Sequence, residues 1–334
     1  MEINMRWIPL LGGLWLFACS HMPATVAHNP ELPNTEINGY AFHTGIYGSA
    51  EAEKVIVIHG GPGGEFGYLL ALKALADDYQ VIFYDQRGSG LSPRVASEEL
   101  TLEQNVADLA AIIDYFSPHQ PVRLVGHSWG AMLAAAYIDQ QPQRVSHAVL
   151  AEPGMLNPEA AVAFVDTMRT FQSFWDNFVA LGYIIRYPFI EKKDGHEGFD
   201  FVMTALLNRN NPGPPYQCQG QQMPEASFRR AGFEAFNAML RPVFDEPESF
   251  SYNLTQNMSA YGGELMLLSS SCSAFGYDFQ ERWHRPLLPS QCQHVLAPEM
   301  GHNMLSLNAE WSVQQIRGFF ASACKQRAES VNAE

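Results

Sequence analysis

Gly126-His127-Ser128-Trp129-Gly130 sets a serine between two glycines. The run before it, Val122-Arg123-Leu124-Val125, reads as a buried strand, and Ala131 to Ile138 reads as a helix. A serine at such a junction is a nucleophile elbow. The turn holds the hydroxyl above the sheet edge, and the flanking glycines relieve crowding where a Cβ would collide with strand or helix. The chemistry is attack on an acyl carbon. It needs a base for the hydroxyl proton and N–H donors for the oxyanion that forms. The amide of Trp129, next to the serine, is one such donor.

Of eleven histidines, only His302 stands in a Gly-His pair after the last apolar run, His294 to Ala297. It is the candidate general base. His127 flanks the nucleophile and is expected on the sheet side of the turn. Gly60-Gly61-Pro62-Gly63-Gly64 follows the apolar run Lys54 to Ile58. It lacks the Lys-Ser/Thr of a phosphate loop and the spacing of a dinucleotide loop. Its backbone amides can face the same point as that of Trp129. Gly61 is the first choice for second oxyanion donor and Gly60 the other.

These groups need a sheet to hold them. The 334 residues are 47% hydrophobic and 16% charged, enough for one large domain with an insertion. Apolar strands alternate with helices from Lys54 to Ala151, which predicts an α/β fold with a mostly parallel, eight-stranded sheet covered on both faces. The opening strand pair lies within Glu36 to Tyr47. The alternation stops near Pro153 and resumes at Glu264. Between them lie aromatic-rich helical pieces, read as an inserted helical cap. The predicted division is a core of 36–152 and 263–327, a cap of 153–262 and a disordered tail of 328–334. A net charge of -15 argues against a nucleic-acid backbone as partner.

The N-terminus reads as a signal segment, 1–18, followed by a polar tether, 19–35. Trp7 to Ala18 is apolar and short for a bilayer span. The sequence Leu16-Phe17-Ala18-Cys19 resembles a bacterial lipobox, in which Cys19 would carry lipid. Cleavage near Ala24 or Ala27, or an uncleaved anchor, are the other readings. Export implies an oxidising compartment, so Cys218, Cys272, Cys292 and Cys324 are disulfide candidates. Cys272 follows a strand and Cys292 precedes the next, so the two lie at opposite sheet edges. The expected pairs are Cys218–Cys272 and Cys292–Cys324. No Cys or His spacing suggests a metal site.

His59-Gly60-Gly61-Pro62-Gly63, Asp85-Gln86-Arg87-Gly88-Ser89-Gly90, Gly126-His127-Ser128-Trp129-Gly130 and Gly301-His302 together resemble the proline iminopeptidase family of α/β-hydrolases. The first two motifs are characteristic of that family within the superfamily. The resemblance implies an α/β-hydrolase fold, a Ser-His-acid triad, no cofactor, and release of an N-terminal proline or other residue from short peptides.

Two departures stand out. Where the family has Leu-Arg-Gly after the strand that follows the elbow helix, this chain has Leu150-Ala151-Glu152. Where the family has its triad aspartate, this chain has Ser273. The acid is therefore open. Glu152 ends the strand expected beside the elbow strand and is the first candidate. Asp278 is the alternate, and a Ser-His dyad with water or Ser273 is the third possibility. An aminopeptidase would also need carboxylates over the pocket to hold the substrate's ammonium. Glu191, Glu197, Glu225, Glu234 and Asp245 are the cap candidates, unranked.

The sequence thus predicts an exported serine hydrolase acting on a short peptide or other small molecule, with a lipid anchor to a membrane. A small-ester or amide hydrolase and a catalytically silent binding lipoprotein are the alternatives.

Overall fold

The computed structural model describes residues 21–171, 174–209, 214–221 and 227–331. The signal segment and Cys19 lie outside them. Eight strands form one sheet: β1 (Asn34–Ile37), β2 (Tyr40–Tyr47), β3 (Lys54–Ile58), β4 (Gln80–Tyr84), β5 (Val122–His127), β6 (Val145–Ala151), β7 (Glu264–Ser270) and β8 (Gln293–Ala297). Their order is β1-β2-β4-β3-β5-β6-β7-β8. The β1–β2 and β2–β4 pairs are antiparallel, and every other pair is parallel.

Ten α-helices accompany the sheet among the described residues. Those of the core are α1 (Leu102–Phe116), α2 (Trp129–Gln140), α8 (Tyr277–Trp283), α9 (Met304–Leu307) and α10 (Ala309–Val331); those of the cap are α3 (Pro158–Thr170), α4 (Phe174–Arg186), α5 (Glu197–Leu207), α6 (Phe233–Met239) and α7 (Arg241–Asp245). Helix α1 starts where the Thr101 hydroxyl accepts the Gln104 amide, and α3 where the Asn157 side chain accepts that of Ala160, with Pro158 in the first turn.

Side chains alternate along each strand, so the sheet has two apolar faces. Ile56, Ile58, Leu124, Leu150 and Leu267 face α1, α2 and α3. Val55, Val57, Val125, Val149 and Leu268 face the turn of 3-10 helix Phe66–Asp77 and α10. Helix α2 is buried from Trp129 to Ile138, as its Ala-rich composition requires.

Three expectations are corrected. The segment 19–35 is not simply a tether. Met22, Thr25 and Val26 are buried, the Val26 amide donates to the Leu91 carbonyl, and Arg230 donates to that of Pro23. The closing helix continues to Val331, past residue 327 where a tail was expected. Cys292 is a free, buried thiol, so the Cys292–Cys324 bond is not formed; the Cys324 side chain lies outside the described residues. Cys292 packs in the core on the α1–α2 face, whereas α10 covers the other face. Burial pushes its thiol up to about 11, which keeps it protonated.

Candidate active site

Ser128 directly follows β5 with φ 55° and ψ −118°. A non-glycine residue at positive φ is strained and must be held. Its N–H donates to the Ala151 carbonyl at 2.8 Å, and its own carbonyl accepts the Ala131 and Met132 amides. A Cβ on Gly126 would come within 2.4 Å of the Gly130 oxygen, and one on Gly130 within 2.1 Å of the Ile58 oxygen. Both glycines are therefore required by close backbone approach. Serine and helix form one rigid corner.

The Trp129 amide opens α2, so no earlier helical carbonyl is there to accept it. Its indole Nε1–H donates to Gln86 at 3.0 Å and fixes the side chain. On the facing loop, the Gly60 amide already donates to the Tyr68 hydroxyl at 2.8 Å. The Gly61 amide has no acceptor among the described residues. The loop touches the elbow, since a Cβ on Gly60 would stand 3.2 Å from the Ser128 Cβ.

His302 follows β8 and is 8% exposed. Its Nδ1 lies 2.6 Å from Glu152 Oε2. Glu152 directly follows β6 and is fully buried, and its Oε1 accepts the Ser270 amide at 2.6 Å. The Glu152 backbone has φ 43°, with its amide donating to the Leu268 carbonyl. A glutamate in this left-handed conformation is strained and must be held by its surroundings. Both carboxylate oxygens are thus committed, one to the sheet and one to the imidazole.

The backbone of His302 is also gripped from two sides. Its amide donates to the Tyr216 carbonyl at 2.6 Å. Its carbonyl accepts from His127 Nε2 at 2.8 Å. His127 is buried, and burial first, then the neighbouring His302, drives its pKa well below the usual value. Neutral His127 has one ring proton, and a carbonyl can only accept, so that proton is on Nε2. Nδ1 then accepts from the Tyr68 hydroxyl at 2.7 Å, and that hydroxyl accepts from Gly60. One oriented chain runs Gly60, Tyr68, His127, His302. Tyr68 carried no signal in the sequence, because its partner is 59 residues away.

With Nδ1 committed to Glu152, Nε2 is the nitrogen of His302 left to take a proton. Ser128 Oγ makes no hydrogen bond among the described residues; such contacts commonly close only around substrate.

Ser273 accepts the Phe275 amide at 3.0 Å. Asp278 is exposed in the first turn of α8 and makes no hydrogen bond to cap it. The place at His302 that Asp278 would need is filled by Glu152. Of the cap carboxylates, Glu197 accepts the Lys193, Asp194 and Gly195 amides, Glu191 pairs with His21, Glu234 with His196 and Asp245 with Arg241. Glu225 lies outside the described residues. Cys218 and Cys272 are joined, with Cα atoms 4.9 Å apart. This bond ties the cap segment carrying Tyr216 to the loop after β7, where Ala274 donates to the Pro215 carbonyl.

Residues 54–190 match the family model described as alpha/beta hydrolase fold. The chain is 44% identical over 105 residues to a proline iminopeptidase of Heyndrickxia coagulans, covering 31% of this chain and 36% of that protein. It is 32% identical over 119 residues to a cis-3-alkyl-4-alkyloxetan-2-one decarboxylase of Shewanella oneidensis, covering 35% and 37%. Further proline iminopeptidases match over 30 to 47% of the chain. The matched stretches span between 36% and 50% of these relatives. Among solved structures, the enol-lactonase from Burkholderia xenovorans LB400 superposes with a TM-score of 0.60 at 15% identity, over 87% of this chain and 100% of that one. That likeness shows the fold. With the eight-stranded sheet and these matches, the chain has an α/β-hydrolase fold and is similar to proline iminopeptidases over about a third of its length.

Proposed function

We propose that this chain is an exported serine hydrolase that releases an N-terminal residue, proline foremost, from short peptides through an acyl-enzyme on Ser128. The observation that carries the reading is the 2.6 Å bond between His302 and Glu152, at the same sheet edge as a serine held at φ 55°. In this mechanism His302 Nε2 takes the Ser128 proton as Oγ attacks the substrate carbonyl. The Glu152 carboxylate stabilises the imidazolium. The Gly61 and Trp129 amides receive the oxyanion. His302 then protonates the leaving amine, and water, activated by the same imidazole, releases the acyl group.

A specific observation favours a second reading, hydrolysis of small esters or amides. Four of the five cap candidates, Glu191, Glu197, Glu234 and Asp245, are bonded elsewhere, which leaves none of these four uncommitted for a substrate ammonium.

Export is supported by the apolar run Trp7 to Ala18 and is compatible with the Cys218–Cys272 bond. Cleavage after Ala24 would remove buried Met22, and cleavage after Ala27 would also remove Thr25 and Val26. This packing favours processing ahead of Met22, at Cys19, or none.

Fluorophosphonate labelling tests the nucleophile. Labelling should be present in the native chain and absent in Ser128→Ala. No labelling of the native chain would favour a silent binding protein. Turnover of proline arylamide against a short acyl ester then separates the two substrate classes; ester turnover alone would select the second.

A further inference from the structure

The cap carries an exposed apolar face. Leu181, Ile184 and Ile185 lie at helical spacing on α4 and are 50%, 49% and 61% exposed. Phe189, in the turn after α4, is 50% exposed. Three exposed cations flank these residues: Arg186, Lys192 and Lys193. They form a local basic cluster in a chain with net charge -15 and only 20 lysines and arginines. Apolar side chains bordered by cations suit an anionic bilayer surface, where the first enter the headgroup boundary and the second meet lipid phosphates.

The path of the chain says which side faces lipid. His21 is the first described residue, and its Nδ1 lies 2.6 Å from the Glu191 carboxylate. Glu191 is two positions beyond Phe189, and Lys192 lies over the Tyr187 ring. The next residues, Met22 to Val26, are packed into the domain, with the Pro23 carbonyl held by Arg230. The chain therefore enters the described fold beside this patch, two residues after Cys19. Two residues span at most about 7 Å, so a lipid on Cys19 would lie within about that distance of His21.

We propose that the α4 face of the cap, Leu181, Ile184, Ile185 and Phe189, rests on the anionic bilayer that holds the N-terminal anchor. The proposal rests on the membrane-anchored form of the export reading.

The test uses the full chain, expressed with its leader and reconstituted into vesicles of phosphatidylethanolamine and phosphatidylglycerol. A polarity-sensitive dye is attached through Ile185→Cys, or through Tyr115→Cys as a control; both positions are well exposed, at 61% and 58% for the native residues. The proposal expects vesicles to float the chain. It also expects the dye at 185 to shift to the blue and be quenched at least twofold by doxyl-labelled lipid, with neither change at 115. Leu181→Glu with Ile184→Glu should reduce that quenching while the chain still floats. A floating chain whose dye at 185 stays in water overturns the surface and leaves the anchor standing. A blue shift without lipid quenching means that protein covers the patch, and also overturns it. A chain that does not float overturns the anchor and the surface together.

Discussion

His127 donates its Nε2 proton to the backbone carbonyl of His302, 2.8 Å away, across 175 residues of sequence. The residue before the nucleophile thereby holds the residue proposed as general base. Tyr68 holds His127 in turn and occupies the Gly60 amide. Tyr68→Phe removes the donor to His127 and the acceptor for Gly60. The expected outcome is a kcat about tenfold lower, or about 1.4 kcal/mol in the barrier, with KM nearly unchanged. Steady-state kinetics on whichever substrate is turned over would check it; a change in KM alone would contradict this positioning role.

Glu152→Gln keeps the size of the side chain and removes its charge. Turnover should fall by about a hundredfold or more, because the imidazolium loses its counter-charge and the tautomer is no longer fixed. Asp278→Asn should stay near the native rate. Measured side by side, near-native turnover in Glu152→Gln would remove Glu152 from the mechanism.

The Cys218–Cys272 bond closes a separation of 54 residues and secures the segment whose Tyr216 carbonyl accepts the His302 amide. Cys272→Ser should cost about 2–4 kcal/mol of stability. It should also lower turnover, because that segment then holds His302 less firmly. Denaturant unfolding and kinetics on the same preparation would show both effects. Iodoacetamide should leave Cys292 unmodified in the folded chain, given its burial and raised pKa.

Glu65 is buried beside the Gly60–Gly64 loop and accepts the Arg229 amide at 2.7 Å. Burial first, then the charge of Asp85, raises its pKa to about 7 from 4.5. The folded state therefore holds this proton more tightly than the unfolded chain does. The stability it contributes is present below about pH 4.5 and is lost as pH rises through about 7. Glu65→Gln keeps an acceptor for Arg229 and should remove this part of the pH dependence. Unfolding midpoints at pH 5 and pH 8 should converge in the variant; an unchanged difference would show that Glu65 is not its source.

Much of the core was legible because its signals are local. The apolar runs at 54–58, 80–84, 122–125 and 145–151 have no other stable home than a buried sheet, and Gly126 and Gly130 mark the elbow. Placing Glu152 beside His302 needed only the neighbouring order of β5 and β6 and the edge at which their side chains emerge. The Cys292–Cys324 pair was not legible because strand order gives edges and not faces: α10 returns along the sheet, but on the side away from Cys292. The cap was least legible. Before α6 begins at Phe233, Arg229 and Arg230 are engaged with Glu65 and Asp200. Tertiary ion pairs of that kind leave no periodic trace. Nor does the burial of Met22 and Val26 in a segment rich in polar residues and proline.

The cap meets the core at a stack of three bare backbones. The Gly232 amide donates to the Gly63 carbonyl at 2.8 Å; a Cβ on Gly63 would approach the Gly232 oxygen to 2.3 Å, and one on Gly232 the Gly88 oxygen to 2.1 Å. At this point the cap is riveted to the loop that carries Gly61, with no space for a side chain between them. Motion there would disturb the proposed oxyanion donors themselves. The cap consequently has a fixed margin at residue 232, and α5 reinforces it: Asp200 accepts the Phe233 amide at 3.0 Å and pairs with Arg94 of the core at 2.9 Å.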